Sequence, residues 1–236
     1  MQQQYLPESR LRWNLSGAKT PIWPTEPDCS AITRLAGSAL ACNPDLLNVQ
    51  FFAQGAVNKL FEVRHKPTDS ADKSPPVYLF RVSLPVDPFY KMESEVATLK
   101  YLGSNTEIPV ATVIAWDSSC KNELGYEWIL LEKVAGVELG QVWRKIPWNE
   151  KLNLARSLAE YSIQLWSLEF TTIGSLYLDG WEARKGYGFG TEGQTRASDS
   201  SPHTGKMDAG FVVGPIVAPF YLRRDIYTPR AIGVRT

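Results

Sequence analysis

Histidine and cysteine are nearly missing from this chain, with two of the first and three of the second among 236 residues. Cys29, Cys42 and Cys120 are odd in number and widely spaced, which argues against a disulfide framework or a paired-cysteine zinc site and fits a reducing compartment. His65 and His203 are too few for a histidine-rich metal centre. Net charge is missing as well. Lys and Arg number 25 and Asp and Glu 25, so no overall field draws the protein to nucleic acid or to an anionic membrane. The longest uncharged apolar stretch near the end, residues 211–222, holds Pro215 and Pro219 and is too short to span a bilayer. The N-terminus has no signal-peptide core, and Arg10 and Arg12 do not make the basic amphipathic helix of a transit peptide. The expectation is a cytoplasmic, intracellular protein, with the mitochondrion left open, that binds neither nucleic acid nor membrane. What the chain does have is a hydrophobic content of 44% with eight tryptophans, enough for a sizeable core. Its length fits one large domain or two lobes.

Residues 1–27 are polar, carry Pro21, Pro24 and Pro27, and read as a poorly ordered leader. Asp28 is placed to cap a helix whose stripe is Ile32, Leu35 and Leu40. A strand pair is expected over 47–65, a solvated connection over 66–76, and a strand over 77–84 ended by Pro85. Met92, Val96, Leu99 and Leu102 then recur at helical spacing, with Glu93 and Glu95 early, where carboxylates suit the helix dipole. Two further strands, 110–116 and 126–133, flank a turn-rich segment. After Gly136 the pattern turns helical, first over 139–143 and then in the longest helix, 151–168, with a weak strand signal over 173–178. Residues 184–210 are dominated by Gly, Ser, Thr and Asp without periodicity and read as a flexible loop. The chain thus divides into a leader (1–27), a first lobe with its preceding helix (28–133) and a partial second lobe (134–236).

Three places in this layout can carry chemistry. Gly55 lies between Phe52 and the run Asn58-Lys59-Leu60. A glycine there lets the backbone approach a phosphate, and Asn58 can brace the turn or donate to a ligand; a glycine in a hairpin also serves simply as a turn. Arg81 stands in the middle of the apolar run 77–84, and a cation inside a strand needs a partner. It either faces solvent or holds phosphate while paired with a carboxylate of the next helix, Glu95 or Glu93. Glu132 follows Trp128-Ile-Leu-Leu131 and precedes Lys133-Val134-Ala-Gly136. It is either a charge at a strand end or part of a crossing whose backbone groups pair with an adenine ring.

The carrying runs are Phe52-Ala-Gln-Gly-Ala-Val-Asn-Lys-Leu-Phe61, Phe80-Arg-Val-Ser-Leu-Pro-Val-Asp-Pro88, Glu93-Ser-Glu-Val-Ala-Thr-Leu99, Ile108-Pro-Val-Ala-Thr-Val-Ile-Ala115 and Glu123-Leu-Gly-Tyr-Glu-Trp-Ile-Leu-Leu-Glu132. In this order they resemble the aminoglycoside phosphotransferase and choline kinase group of the protein-kinase-like fold, and within it a set of fungal members. The resemblance covers residues 30–180 well and 211–230 more loosely. It implies an α+β fold: an antiparallel small lobe with one packed helix, a linker near 133–137, and an incomplete helical second lobe. It implies ATP-dependent phosphate transfer to a small molecule whose identity this chain does not show. Gly55 and Asn58 would lie in the nucleotide-covering loop, and Leu131, Glu132 and Val134 in the hinge beside adenine. Arg81 takes the place of the group's usual lysine, with Glu95 as its helix partner. Arginine grips oxygens as a fork where lysine is a point charge.

Enzymes of this group also need an aspartate from a His-x-Asp loop and a second aspartate to hold magnesium. Here His65 is followed by Lys66-Pro67 and His203 by Thr204-Gly205, while Asp199, Asp208 and Asp225 lie in segments without a leading apolar strand. Pro229-Arg230 runs into Ala-Ile-Gly-Val-Arg-Thr where related sequences continue toward the catalytic half. The expectation is a chain truncated before its catalytic loop, inactive, with no magnesium site and weak ATP binding. The alternatives are a non-catalytic nucleotide- or protein-binding pseudo-enzyme and a non-functional fragment.

Overall fold

Two-residue alternation sets both faces of the main sheet. The computed structural model describes residues 12–14, 20–67, 75–185 and 210–217. Most of the loop expected over 184–210 therefore lies outside the described residues. A short pair, β1 (Arg12–Asn14) and β2 (Thr20–Ile22), precedes helix α1 (Cys29–Ala39). The main sheet is built from β3 (Leu47–Gln54), β4 (Asn58–His65), β5 (Val77–Ser83), β6 (Val113–Asp117) and β7 (Glu127–Glu132). All neighbours are antiparallel and their order is β3-β4-β5-β7-β6. The architecture is α+β.

One face carries Phe61, Val63, Phe80, Val82, Trp128 and Leu130, and α1 covers it with Ala31, Ile32 and Ala36. Phe80 stacks on Trp128 across β5 and β7, with ring centroids 4.9 Å apart. Helix α1 starts where Asp28 accepts from the Ser30 and Ala31 N–H groups at 3.0 and 3.2 Å, the cap expected from its side chain. The other face meets helix α2 (Tyr90–Asn105), whose Met92 and Val96 pack on Ile129. This helix lies over β6 and β7 and continues onto β8 (Ser175–Leu178), which pairs with β9 (Phe211–Gly214). The same face over β3, β4 and β5 keeps Leu60 and Leu79 only half-buried.

The end of the leader is fastened down. Trp23 packs on Tyr126 at 5.4 Å, and the Tyr126 hydroxyl donates to the Thr25 carbonyl at 2.9 Å while standing 2.8 Å from the Thr25 hydroxyl. Lys59, buried on the α1 side of β4, pairs with Glu26 and lies 4.8 Å from the Trp23 ring. Short, proline-bearing segments give no periodicity to read, which is why this strap and the β1–β2 pair were not anticipated.

Past β7, the short helices α3 (Leu139–Val142) and α5 (Trp181–Lys185) flank the long α4 (Trp148–Trp166). Helix α4 buries none of its residues; Trp166 at its end is 86% exposed. No described helix is long and apolar enough to cross a membrane.

Tyr126→Phe removes the hydroxyl that ties the strap to the sheet. The expected loss is about 1–2 kcal/mol in urea unfolding. Unchanged stability would mean that the strap's hydrogen bonds contribute nothing net.

Candidate functional site

Arg81 sits in the middle of β5, the central strand, opposite Leu60 of β4 and Ile129 of β7. Directly opposed residues share a face, so Arg81 projects toward α2 and away from α1. There it meets Glu95 in a two-pronged pair, Nη1 to Oε1 at 2.5 Å and Nη2 to Oε2 at 2.7 Å. Both partners are largely withdrawn from water, with side chains 14% and 32% exposed. The third donor position, Nε, is buried with no hydrogen-bond partner among the described residues. Lys91, one helical turn before Glu95, brings a second cation to 3.9 Å from the carboxylate.

Glu93 takes a different role. Two residues along a helix turn the side chain by about 200°, so Glu93 and Glu95 cannot serve the same strand. Glu93 is fully buried and accepts from Ser118 Oγ at 2.7 Å and Trp116 Nε1 at 3.2 Å, joining α2 to the end of β6.

One step from Arg81, toward the β4 start, lies the row Asn58, Ser83 and Glu127. The Ser83 hydroxyl donates to Asn58 Oδ1 at 2.8 Å, so Asn58 braces β4 against β5. Gly55 closes the hairpin with its N–H on the Asn58 carbonyl at 2.9 Å. Gly55 needs no positive φ, and a Cβ added there would meet nothing within 4 Å. The fold alone does not require glycine at this turn.

At the other end of β5, Tyr78 pairs with Glu132, three residues from Arg81, or about 10 Å along the strand. The Glu132 and Lys133 N–H groups are used by the Thr112 and Val77 carbonyls at 2.9 and 2.8 Å. Val134 lies just past the last of these bonds and is 68% exposed. Leu131 falls on the Arg81 face, opposite Leu79, while alternation turns the Glu132 side chain to the other face. Lys133 ties this crossing to the hairpin: it pairs with Glu62 of β4 and stands 4.5 Å from the Phe52 ring of β3. The sheet therefore sets Gly55 and Asn58, Arg81 with Glu95, and the 131–134 crossing around one half-covered apolar strip, Leu60, Leu79 and Leu131. The strip is an open face; a shallow hollow of about 430 Å³ lies elsewhere, lined by Glu93 and residues 114–119.

Three ionisable residues not singled out from the sequence also gather here. Glu127 is fully buried and accepts the Phe89 N–H at the start of α2. Burial drives its carboxyl up to about 8, with Asp87 and Asp117 adding to the rise and the Phe89 hydrogen bond and Lys91 opposing it. Burial likewise raises Asp87, against the pull of Lys91, and lowers Lys91, against the pull of Glu95. A signal for Glu127 was there to read: an acid within the apolar run 126–131, two residues from Ile129 and so on the Arg81 face. Among the described residues no cluster of His, Cys, Asp and Glu could hold a metal ion.

Burial by itself would raise Glu95, but the Arg81 hydrogen bonds and the charges of Arg81 and Lys91 outweigh it and hold the carboxyl below its ordinary 4.5. A depressed carboxylate contributes stability that is full above pH 4.5 and is lost as pH falls through the folded-state value. Arg81→Met should therefore raise the Glu95 carboxyl in a ¹³C NMR titration and flatten the acid side of the stability profile. An unmoved titration would show that Arg81 does not set the charge of Glu95.

No family model matches this chain, and no solved structure matches it. Curated relatives are fungal. A subtelomeric hrmA-associated cluster protein of Aspergillus fumigatus is 29% identical over 136 residues, covering 57% of this chain and 25% of that protein. Altered inheritance of mitochondria protein 9, mitochondrial, from Meyerozyma guilliermondii is 28% identical over 131 residues, 52% of this chain and 22% of its own length. The protein of that name from Candida tropicalis is 36% identical over 93 residues, 37% of this chain and 15% of its own. The chain spans about a quarter or less of the curated relatives it matches.

Proposed function

We propose that this chain is the nucleotide-holding part of a protein-kinase-like phosphotransferase of the aminoglycoside phosphotransferase type, and that it binds ATP without transferring phosphate. The observation that carries this reading is the Arg81–Glu95 fork on the open half of the sheet, with its Nε–H buried and unpartnered among the described residues. A buried guanidinium held by one carboxylate keeps donors for a second anion, and phosphate oxygens fit that geometry. Leu60, Leu79 and Leu131 offer an apolar bed for a base, and the exposed Val134 lies at its edge. Gly55 supports the same reading. The turn accommodates a side chain, so what the glycine preserves is room above the hairpin.

ATP would supply the transferable phosphoryl group; the residues of this chain bind and orient it. Arg81 holds phosphate, Glu95 fixes the guanidinium, and Asn58 and Gly55 shape the covering hairpin. Phosphoryl transfer rests on positioning and on neutralising charge by metal. Among the described residues no cluster of carboxylates could hold magnesium, and no step is assigned to one. A pseudo-enzyme that holds nucleotide while regulating a partner is the second reading; what supports it is that neither histidine opens a His-x-Asp loop, His65 being followed by Lys66-Pro67 and His203 by Thr204-Gly205. The names of the Meyerozyma guilliermondii and Candida tropicalis relatives are consistent with a mitochondrial location within the intracellular expectation.

Titrating ATP by calorimetry should give weak binding that magnesium changes little, and Arg81→Ala should abolish it. Gly55→Ala should leave the melting temperature unchanged and weaken ATP binding several-fold. Robust magnesium-dependent turnover by the 236-residue chain, or ATP affinity indifferent to Arg81, would overturn the reading.

A further inference from the structure

Helix α2 starts from a strained corner. Phe89, just before its first residue, has φ +70° and ψ −57°, and the Tyr90 N–H returns to the Pro88 carbonyl at 2.9 Å. This is the γ-turn of positive φ, which a bulky residue adopts only when its surroundings hold it there. Two anchors do so. The Phe89 ring is buried against Tyr90 and Trp181, with centroids 5.6 and 5.9 Å apart, and Trp181 stacks on Tyr177. The Phe89 N–H is donated to the carboxyl of Glu127, which is 1% exposed.

Glu127 is surrounded from every side that packs on it. The approach to α2 contributes Asp87, the first turn of α2 contributes Lys91, and β6 contributes Asp117. Ser83 stands opposite on β5 and Arg81 is two residues further along that strand. Lys91 also faces Glu95 and Asp87, so its charge is divided among several carboxylates.

We propose that Glu127 is a positioning residue, a pH-sensitive latch whose neutral carboxyl holds the strained start of α2 and whose ionisation releases it, loosening the Arg81–Glu95 pair six residues on. The neutral group accepts the Phe89 N–H through its carbonyl oxygen and buries no charge. The ionised group is a buried anion near two other acids, and it gains by reaching water. The element that yields is the turn. Strand β7 is hydrogen-bonded to neighbours on both sides, whereas the turn sheds strain when it lets go. Glu95 lies about 9 Å along the helix from Phe89, so displacement of the first turn reaches the fork. The latch stands whether or not a nucleotide binds.

The sign follows from the raised carboxyl. Closed, Glu127 titrates at about 8; open to water it titrates near its ordinary 4.5. The closed form therefore holds one extra proton between those values and weakens up to about tenfold per pH unit as pH rises through that window. Below it and above it the latch is indifferent to pH.

Hydrogen exchange of the full chain between pH 5.5 and 7.5, corrected for intrinsic rates, tests this. Protection of the amides of residues 89–94 should fall by up to about a hundredfold, while the amides of β4 and β5 stay better protected. Glu127→Gln, which keeps the acceptor and cannot ionise, should remove the fall. Asp87→Asn, which removes a neighbouring negative charge, should restore protection at pH 7.5 several-fold. If 89–94 lose protection only together with the sheet, or if Glu127→Gln keeps the slope, the latch does not exist.

Discussion

The guanidinium in the middle of the central strand is the constraint to which much of this structure answers. Arg81 has strands on both sides and cannot reach bulk water along the sheet, so a carboxylate must come to it. Helix α2 brings Glu95, and the two-pronged geometry sets how that helix lies over the sheet. The helix starts at a sharp turn six residues past the end of β5, the strained one at Phe89. Glu127 and the aromatic group of Tyr177 and Trp181 hold the turn in place. An ion pair, a strained corner and a buried acid are thus parts of one arrangement.

The two faces of the sheet are used differently. The α1 face is a dense apolar core, sealed at its edge by the Trp23–Thr25 strap and the Lys59–Glu26 pair. The α2 face is covered over β6 and β7 and left half open over β3, β4 and β5. That asymmetry leaves an apolar strip beside a buried cation, the combination on which the nucleotide reading rests. Beyond the sheet, α4 adds length but little burial, so the well-packed part of the described chain is the five-stranded sheet with α1 and α2 and the β8–β9 pair docked under α2.

Much of the main sheet and its two covering helices was legible because these elements carry strong local signals. The Asp28 cap, the alternation in β4 and β5 and the helical spacing of Met92, Val96 and Leu99 placed α1, the central strands and α2 within a few residues. Helix α4 was anticipated at 151–168 and runs Trp148–Trp166, starting directly after Pro147. Strand β6 begins at Val113, later than its apolar run, although the Thr112 carbonyl still accepts the Glu132 N–H. The site was half legible. Arg81 declared itself as a cation in an apolar run, but local pattern left Glu93 and Glu95 equal as partners, and Glu127 passed as one more strand residue.

Sequence alone determined which segments become strands and helices here, because periodicity and capping are written within a few neighbouring residues. It also determined that a cation sits mid-strand and must be matched. The resemblance already named Glu95 as the partner; tertiary structure paired it with Arg81 and placed Glu93 on Ser118 and Trp116 instead. Tertiary structure alone decided that Gly55 is free of backbone strain while Phe89 is not. It also made Glu127 a buried acid that titrates at about 8. The physical reason is common to all of these. Burial, pairing and strain depend on which distant elements arrive at a residue, and pairings such as Arg81 to Ile129 across β5 and β7 are decided only when the whole sheet has assembled.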